Sequence, residues 1–249
     1  MQVFCANWKK GQRKDGVDIG GLEICSKLNN VNYLNLVDHN IVYHNDLFNN
    51  LCSVKNTFLV GGDHSVGIGS VLASVNKNQN VGCLWIDAHP DINTFESSSS
   101  KNIHGMPLAF ITGLETSWKW CNETKKLPFE NLYYWGIRDI DGFEKETIIN
   151  KNIKVINTID EFVKDIYKFD CIHISIDVDG IDPSFISSTG TPYKNGLMLQ
   201  DVLLAIERLK SLHKNINYDL VEYNPLIGTD KDKELSKTTV TQIVDTILQ

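Results

Sequence analysis

CIHISIDVDGIDP, at residues 171–183, is the stretch that decides the fold class. It opens with a nearly continuous apolar run, 171–178, which predicts a strand buried on both faces, as in a parallel sheet. Asp177 and Asp179 stand at alternate positions where this strand ends, and the glycine and Asp182 that follow mark a turn. Ligands of open α/β sheets bind beyond the carboxyl ends of the strands, so the stretch predicts a carboxylate-bearing site there.

Similar segments occur along the whole chain. Short apolar runs predict further strands at 57–60, 81–86, 131–135 and 218–223. Segments with a one-sided apolar stripe predict helices at 66–77, 144–150, 159–167, 200–213 and 238–248. Because strands alternate with helices, we expect βα units, an α/β fold and a parallel sheet. The length suits one large domain over residues 1–249.

The composition excludes several classes of protein. Hydrophobic residues make up 42% of the 249 positions and charged residues 22%, as in ordinary globular proteins. The net charge of -7 argues against a nucleic-acid partner, and no apolar run is long enough to span a membrane or to act as a signal peptide. The six cysteines are scattered without a C-x-x-C pair, so we expect free thiols in a reducing compartment, the cytoplasm.

Polar residues follow five of the predicted strands at the point where each strand ends. The segments are GGDHS (61–65), DAHPD (87–91), RDID (138–141), DVDG (177–180) and E-x-N-P (222–225). Because the carboxyl ends of parallel strands meet at one edge of a sheet, we expect these segments to form one shared site.

Six residues of these segments are candidate metal ligands: His64, Asp87, His89, Asp91, Asp177 and Asp179. In an extended strand Asp87 and His89 face the same side, and Pro90 turns the chain so that Asp91 reaches the same space. Crowded carboxylates raise one another's pKa unless a cation neutralises them. Carboxylates mixed with imidazoles suit Mn(II) better than zinc-thiolate or calcium sites. Four carboxylates and two imidazoles exceed the needs of one ion, so we expect two ions with shared ligands.

The order of the motifs is more informative than any one of them, since single Asp-x-Asp pairs are common in turns and helix caps. Asp63 and Asp182, beside glycine and proline, are assigned to such turns. GGDHS, DAHPD, NIHG, S-x-D-x-D-x-x-D-P and E-x-N-P in this order resemble the ureohydrolase family of arginases and agmatinases, from about residue 11 to the end. The resemblance implies a single three-layer α/β/α domain with a mainly parallel sheet of about eight strands.

The loop DINTFESSSSKNIHG (91–105) and the STGTP segment (188–192) most resemble those of arginases. This resemblance implies Mn-dependent hydrolysis of L-arginine to L-ornithine and urea by a hydroxide that bridges two Mn²⁺ ions. One ion would be held by His64, Asp87, Asp91 and Asp177, and the other by His89, Asp87, Asp177 and Asp179, with Asp87 and Asp177 as bridges.

The resemblance also implies roles for the remaining site residues. Asn93, Ser100 and Asn102 would bind the substrate carboxylate, Asp141 would face the α-amino group with support from Glu144, and Glu222 with Thr191 would bind the guanidinium. A planar guanidinium matches the fork of a carboxylate such as Glu222. His104 would act as general acid or proton shuttle, and Asp91 would pass a proton towards the departing amine.

Alternatives stay open at this point. The chain also resembles agmatinases at the metal motifs, and one alternative is a relative that acts on another substrate of this kind, agmatine or formimidoylglutamate. A second is a catalytically silent metal-binding protein that serves as a partner or regulator, and a third is a more distant metallohydrolase of similar fold, such as a one-zinc deacetylase. Lys101 replaces the small residue usual between Ser100 and Asn102. The family commonly forms homo-trimers, but this chain stops after VDTILQ without the C-terminal tail that helps many members to assemble, which leaves the oligomeric state open.

The loop at residues 91–105 generates a prediction about substrate choice. Asn102→Ala is expected to raise KM for arginine while sparing agmatine, because agmatine has no carboxylate for the loop to bind. Steady-state urea release with both substrates measures this, and an equal loss for both would contradict the assignment of Asn102.

Overall fold

Eight strands form one sheet in the computed structural model, which describes residues 1–249. In chain order they are β1 (Gln2–Ala6), β2 (Val31–Tyr33), β3 (Thr57–Gly61), β4 (Val81–Ile86), β5 (Leu132–Trp135), β6 (Lys154–Ile156), β7 (Cys171–Asp177) and β8 (Ile216–Val221). Their spatial order is β2-β1-β3-β8-β7-β4-β5-β6, and all neighbours are parallel. The predicted α/β class with a parallel sheet of eight strands is confirmed.

Nine α-helices cover the sheet. They are α1 (Val17–Cys25), α2 (Asn40–Cys52), α3 (Gly67–Lys77), α4 (Pro107–Thr112), α5 (Lys119–Asn122), α6 (Gly142–Asn150), α7 (Ile159–Val163), α8 (Leu199–Leu212) and α9 (Asp230–Leu248). No helix combines the length and apolar character needed to cross a membrane. All six cysteines are free thiols.

Both faces of the sheet are buried, which explains the continuous apolar runs of its central strands. In β4, Leu84 and Ile86 join a core that also contains residues of α1, α7, α8 and α9. Cys83 and Trp85 point the other way and join a core with residues of α3, α4 and α5. Successive side chains of a strand point to opposite faces, so the sheet lies between two helical layers, and the three-layer α/β/α arrangement is confirmed.

Three strands are absent from the sequence-based prediction. β2 and β6 are edge strands of three residues with partly exposed side chains, so neither has a continuous apolar run. β1 is buried along most of its length, but its run QVFCA begins with an exposed glutamine and is short. The strands that were predicted differ from the observed ones by at most two residues at either end.

Two predicted helices differ from the observed ones by more than two residues at one end. Helix α9 begins at Asp230 and not at residue 238, because Thr229 and Asp232 form a capping box and the polar first turns carry no apolar stripe. The predicted helix at 159–167 is α7, which ends at Val163, followed by a separate 3₁₀ turn at Ile166–Lys168.

The strand order places four polar strand ends side by side. β8 pairs with β3 and β7, and β7 pairs with β4, so these four strands are consecutive in the middle of the sheet. His64 follows β3, Asp87 follows β4, Asp177 ends β7 and Glu222 follows β8. Parallel strands have their carboxyl ends at the same edge, so all four side chains lie at one edge.

Gly62 gives a stability prediction for the turn that leads into this edge. A Cβ atom at Gly62 would lie 1.8 Å from the carbonyl oxygen of Trp8, and that backbone is held because Asp63 N donates to the same oxygen at 2.8 Å. Gly62→Ala is expected to lower the free energy of unfolding by about 1–3 kcal/mol or more, the usual range for overpacking. Urea denaturation measures this, with Gly142→Ala as the control because its Cβ would meet nothing within 4 Å. Equal stability of the two variants would contradict the prediction.

Candidate active site

The six predicted metal ligands lie together at the carboxyl edge of β3, β4 and β7. His64 Nδ1 is 3.0 Å from Asp87 Oδ2, 3.2 Å from Asp91 Oδ2 and 3.3 Å from Asp177 Oδ2. His89 Nδ1 is 3.4 Å from Asp87 Oδ1 and 3.2 Å from Asp179 Oδ2. Two groups that share Asp87 could each hold a metal ion: His64, Asp87 and Asp91, and Asp87, His89 and Asp179.

Local hydrogen bonds hold the aspartates in place. Asp87 Oδ1 accepts from the backbone N–H of His89 at 2.7 Å, and Asp177 Oδ1 accepts from that of Asp179 at 2.8 Å. Asp87 Oδ2 also accepts from the Trp85 indole at 3.0 Å, and the same indole stacks on the His64 ring with centroids 4.0 Å apart. Each Asp-x-(His/Asp) step is therefore a turn that places two ligands on one side of the strand end.

Two site residues have a left-handed backbone. Asp91 has a φ of 50° and Glu222 a φ of 67°, a region that side-chain-bearing residues rarely adopt. The backbone around each is anchored, because Leu108 N donates to Asp91 O at 3.0 Å and Glu222 N donates to Gly62 O at 2.8 Å. Such residues cost about 1–3 kcal/mol each and cluster at functional sites, which is consistent with a role for both side chains.

The cluster is crowded with negative charge. Burial and the charges of Asp179 and Asp87 raise the pKa of Asp177 well above its usual range. Burial and Asp87 raise the pKa of Asp91 to about 7. Burial alone would lower the pKa of His64, but the nearby carboxylates of Asp177, Asp87 and Asp91 raise it well above its usual value. The carboxylates therefore require bound protons or bound cations to lie this close together.

His64 Nδ1 indicates that cations fit here. This atom is buried and makes no hydrogen bond, although three carboxylate oxygens lie within 3.3 Å. A nitrogen and oxygens that converge without hydrogen-bond geometry are arranged as ligands around a common point. Imidazole and carboxylate donors without a thiolate suit a divalent ion that accepts both oxygen and nitrogen ligands, such as Mn²⁺.

Glu222 lies beside the cluster and is itself tightly held. Its Oε1 accepts from the backbone N–H of His64 at 2.9 Å and lies 3.1 Å from His104 Nδ1, while its Oε2 accepts from Gln12 Nε2 at 2.6 Å. Burial would lower the pKa of His104, but the hydrogen bond and charge of Glu222 raise it to about 9. Burial would raise the pKa of Glu222, and His104 reverses this so that it falls below its usual range. The pair thus favours a carboxylate beside an imidazolium.

A polar cleft of about 240 Å³ opens onto the cluster, and none of its ten lining residues is hydrophobic. Its walls include His89, Asp91, Asn93, His104, Asp141, Glu144, Asp177 and Thr191 from the predicted set. Asn93 Nδ2 donates to Asp141 Oδ2 at 2.7 Å, Asp141 and Glu144 form the capping box of α6, and Thr191 Oγ1 donates to Asp179 Oδ2 at 2.8 Å.

Ser100 and Asn102 do not line the cleft. Ser100 is exposed, and its Oγ accepts from the backbone N–H of Asn102 at 3.2 Å. Lys101 between them has a φ of 61° and its ammonium contacts the carbonyl oxygen of Phe95, so the cation is held within its own loop. The role of Ser100 and Asn102 in binding the substrate carboxylate stays a prediction.

Two residues at the site were missed in the sequence. Asp139 lines the cleft and its Oδ2 lies 3.5 Å from His89 Nε2. It alternates with Asp141 in the RDID segment, a spacing that also marked Asp177 and Asp179, and so a signal was present. Gln12, which binds Glu222, gave no signal beyond its place in the loop KGQRKDGV.

A family profile and curated proteins both match the chain, the profile over nearly its full length and the curated proteins over about two thirds of it. A profile of the Arginase family matches residues 6–248. The chain belongs to the arginase family. It is 41% identical over 182 residues to an arginase of Entamoeba histolytica, covering 68% of this chain and 62% of that protein. It is 39% identical over 186 residues to an arginase of Saccharomyces cerevisiae, covering 67% and 56%. The aligned part thus spans less than two thirds of the length of these curated relatives.

Solved arginase structures share the fold. The crystal structure of Entamoeba histolytica arginase in complex with L-ornithine superposes with a TM-score of 0.88 and 30% identity, covering 100% of this chain and 99% of that one. An arginase of Bacillus subtilis gives 0.86 at 29% identity, covering 100% and 98%. A formimidoylglutamase of Bacillus subtilis, at 0.77 and 15% identity over 99% and 86%, shares the fold alone.

The shared ligand groups predict how the metal content responds to mutation. Asp179→Ala is expected to lose one of two Mn²⁺ ions, because Asp179 belongs to the His89 group and not to the His64 group. Metal analysis after dialysis measures this. Asp182→Asn is the control, since Asp182 accepts from Ser184 N and Gly196 N in a turn outside the cluster. Two ions retained in Asp179→Ala would contradict the ligand assignment.

Proposed function

We propose that this chain is a manganese-dependent hydrolase that cleaves L-arginine to L-ornithine and urea. The observation that carries the proposal is the pair of metal-ligand groups joined through Asp87, at the cleft that His104 lines next to Glu222. Similarity to proteins named arginase, one of them solved with L-ornithine, supports the same substrate.

The chain's ligands would hold two Mn²⁺ ions in the sets given by the resemblance: His64, Asp87, Asp91 and Asp177 for one, and His89, Asp87, Asp177 and Asp179 for the other. When bound, two such ions lower the pKa of a water molecule towards neutrality and so supply the nucleophile that the poorly electrophilic guanidinium carbon needs.

Glu222 would bind and orient the guanidinium. Its carboxylate is 2% exposed and keeps its charge because of His104, and a desolvated carboxylate pairs strongly with a planar cation. The hydrogen bonds from Gln12 and from the His64 backbone hold both of its oxygens. A fixed carboxylate favours one orientation of the guanidinium plane.

His104 and Asp91 would handle the proton that the departing amine requires. A pKa of about 9 keeps His104 protonated at neutral pH in the absence of cations, and its ring lies in the cleft wall where it can donate. Asp91, whose Oδ2 faces His64, lies at the cleft floor, and the charge of Asp91 is among those that raise the pKa of His104.

Acidic groups at the outer part of the cleft would bind the α-amino end of the substrate. Asp141 lies against Asn93 and is fixed by its capping box with Glu144, so its carboxylate is pre-positioned for a cation. Asn93, Ser100 and Asn102 would bind the α-carboxylate, and Thr191 would join Glu222 on the guanidinium side.

The state of the cysteines bears on the cellular compartment of the protein. Six free thiols, five of them buried, favour a reducing compartment, and we assign the chain to the cytoplasm. Assembly into a homo-oligomer, commonly a trimer in the family, is part of the same proposal.

Urea release by the Mn-loaded chain tests the proposed reaction. Arginine is expected to be the preferred substrate over agmatine and formimidoylglutamate, and no urea from arginine at saturating Mn²⁺ would overturn the proposal. Glu222→Gln is expected to lower kcat/KM for arginine by about two orders of magnitude, because removing one partner of a buried charge pair costs about 2–5 kcal/mol. Its Mn²⁺ content should match the wild type, since Glu222 is not among the metal ligands.

A further inference from the structure

A chain of buried hydrogen bonds runs from His64 away from the cleft. His64 Nε2 lies 2.9 Å from Ser175 Oγ, and Ser175 Oγ donates to Asp219 Oδ2 at 3.3 Å. The same oxygen of Asp219 accepts from Ser70 Oγ at 2.6 Å and lies 2.9 Å from His173 Nε2. All five side chains are at most 2% exposed. The network is therefore buried throughout, and Ser175 makes its hydrogen bond to His64.

Sheet register explains how the network meets the ligand cluster. Ser175 and Asp219 are direct partners in the parallel pairing of β7 with β8. Ser175 comes two residues before Asp177, and alternate residues of a strand share a face. Asp177, a proposed metal ligand, and Ser175 therefore lie on the same face of β7. Ser175 is further from the carboxyl end of the strand, and its hydroxyl contacts the ring of His64.

Asp219 does not line the cleft, and its route to the cluster passes through Ser175. Its Oδ2 faces three polar groups, whereas its Oδ1 is buried without any hydrogen-bond partner. An unpaired buried oxygen costs stability, and an apolar residue of similar volume would often pack as well or better. A purely structural role is thus a poor explanation for a carboxylate at this position.

The direction of the hydrogen bonds gives the carboxylate a function. A carboxylate can only accept, so the hydroxyl hydrogen of Ser175 points to Asp219 and its oxygen accepts from N–H on His64 Nε2. A neutral imidazole carries one N–H, and with the proton on Nε2 the lone pair lies on Nδ1. Nδ1 is the atom that faces Asp87, Asp91 and Asp177.

We infer that Asp219 is a positioning residue that acts through Ser175 to hold His64 as the tautomer that can ligate a metal ion through Nδ1. The inference rests on the proposed metal site and adds to it a residue that touches neither metal nor substrate. Outer partners of metal-ligating histidines typically change metal affinity about 10–100-fold when removed.

The inference is tested without measuring activity, by titrating Mn²⁺ into the cation-depleted full chain. Calorimetry follows the titration and gives the affinity for each Mn²⁺ ion. In Asp219→Asn the amide nitrogen can donate to Ser175 and reverse its hydroxyl, which favours the proton on His64 Nδ1. The variant is expected to bind one Mn²⁺ as the wild type does and the other about 10–100-fold more weakly. Asp219→Leu removes the hydrogen-bond acceptor while filling a similar volume, and it is expected to show the same selective loss of affinity. This variant replaces Asp219→Asn in the test if the amide variant does not fold.

The matched control is Asn217→Ala on the same strand. Asn217 is fully buried and bonds to Thr57 and Cys171, but makes no hydrogen bond to Ser175 or Asp219. The Asn217→Ala substitution should lower the melting temperature of the protein while leaving both Mn²⁺ affinities unchanged. Affinities that fall in proportion to melting temperature in both variants would overturn the inference.

Ser175→Ala distinguishes action through the hydroxyl from a general effect on packing. If Asp219 acts through Ser175, adding Asp219→Asn to Ser175→Ala should cause no further loss of affinity, whereas independent effects would add. Additive losses, or wild-type affinity in Asp219→Asn, would overturn the inference while leaving the proposed function intact. Failure of the wild type to bind two Mn²⁺ ions would instead overturn the proposed function.

Discussion

Mutual repulsion among buried carboxylates is the constraint around which this structure is organised. Asp87, Asp91, Asp177 and Asp179 converge at one edge of the sheet, where burial and like charge make full ionisation unfavourable without cations. The fold tolerates the close approach of these carboxylates because they follow rigid parallel strands and because backbone N–H groups donate hydrogen bonds to Asp87 and Asp177. Two imidazoles interleave between them and leave nitrogens directed at the same space.

The same constraint shapes the surroundings of the cluster. Glu222 is a further carboxylate beside the four, and its charge is retained because His104 and two N–H donors face it. The strained φ angles at Asp91 and Glu222 lie in this region, where hydrogen bonds to their backbone hold conformations that a free chain would leave. Strain and charge crowding are therefore concentrated together at this edge of the sheet.

The central architecture could be predicted because burial leaves a direct mark on composition. β4 and β7 are buried on both faces, and the polar residues at their carboxyl ends had to lie at one edge of a parallel sheet. The edge strands β2 and β6 show no continuous apolar run in the sequence, since an edge strand needs little apolar surface. The start of α9 was missed because a capping box stabilises a helix end through polar residues, which an apolar stripe does not reveal.

Site contacts between residues far apart in the sequence were hardest to predict. Gln12 meets Glu222 across 210 positions, and no local pattern encodes that contact. Ser100 and Asn102 match a motif in spacing, yet neither residue lines the cleft, although Asn93 and His104 of the same loop do. Asp219 sits inside a predicted strand run, and a lone acidic residue in such a run is itself a signal that a buried partner must exist.

The strand order has a consequence for how the protein is made. β8, near the end of the chain, lies between β3 and β7, so the middle of the sheet is filled by the last strand to leave the ribosome. Until then β3 and β7 each have an unpaired edge, and the nascent chain displays open strands of the kind that invite wrong pairing. Glu222, one residue beyond β8, arrives with the strand that closes this gap, so the last step of sheet assembly also brings the carboxylate that pairs with His104 to the edge where the aspartates converge.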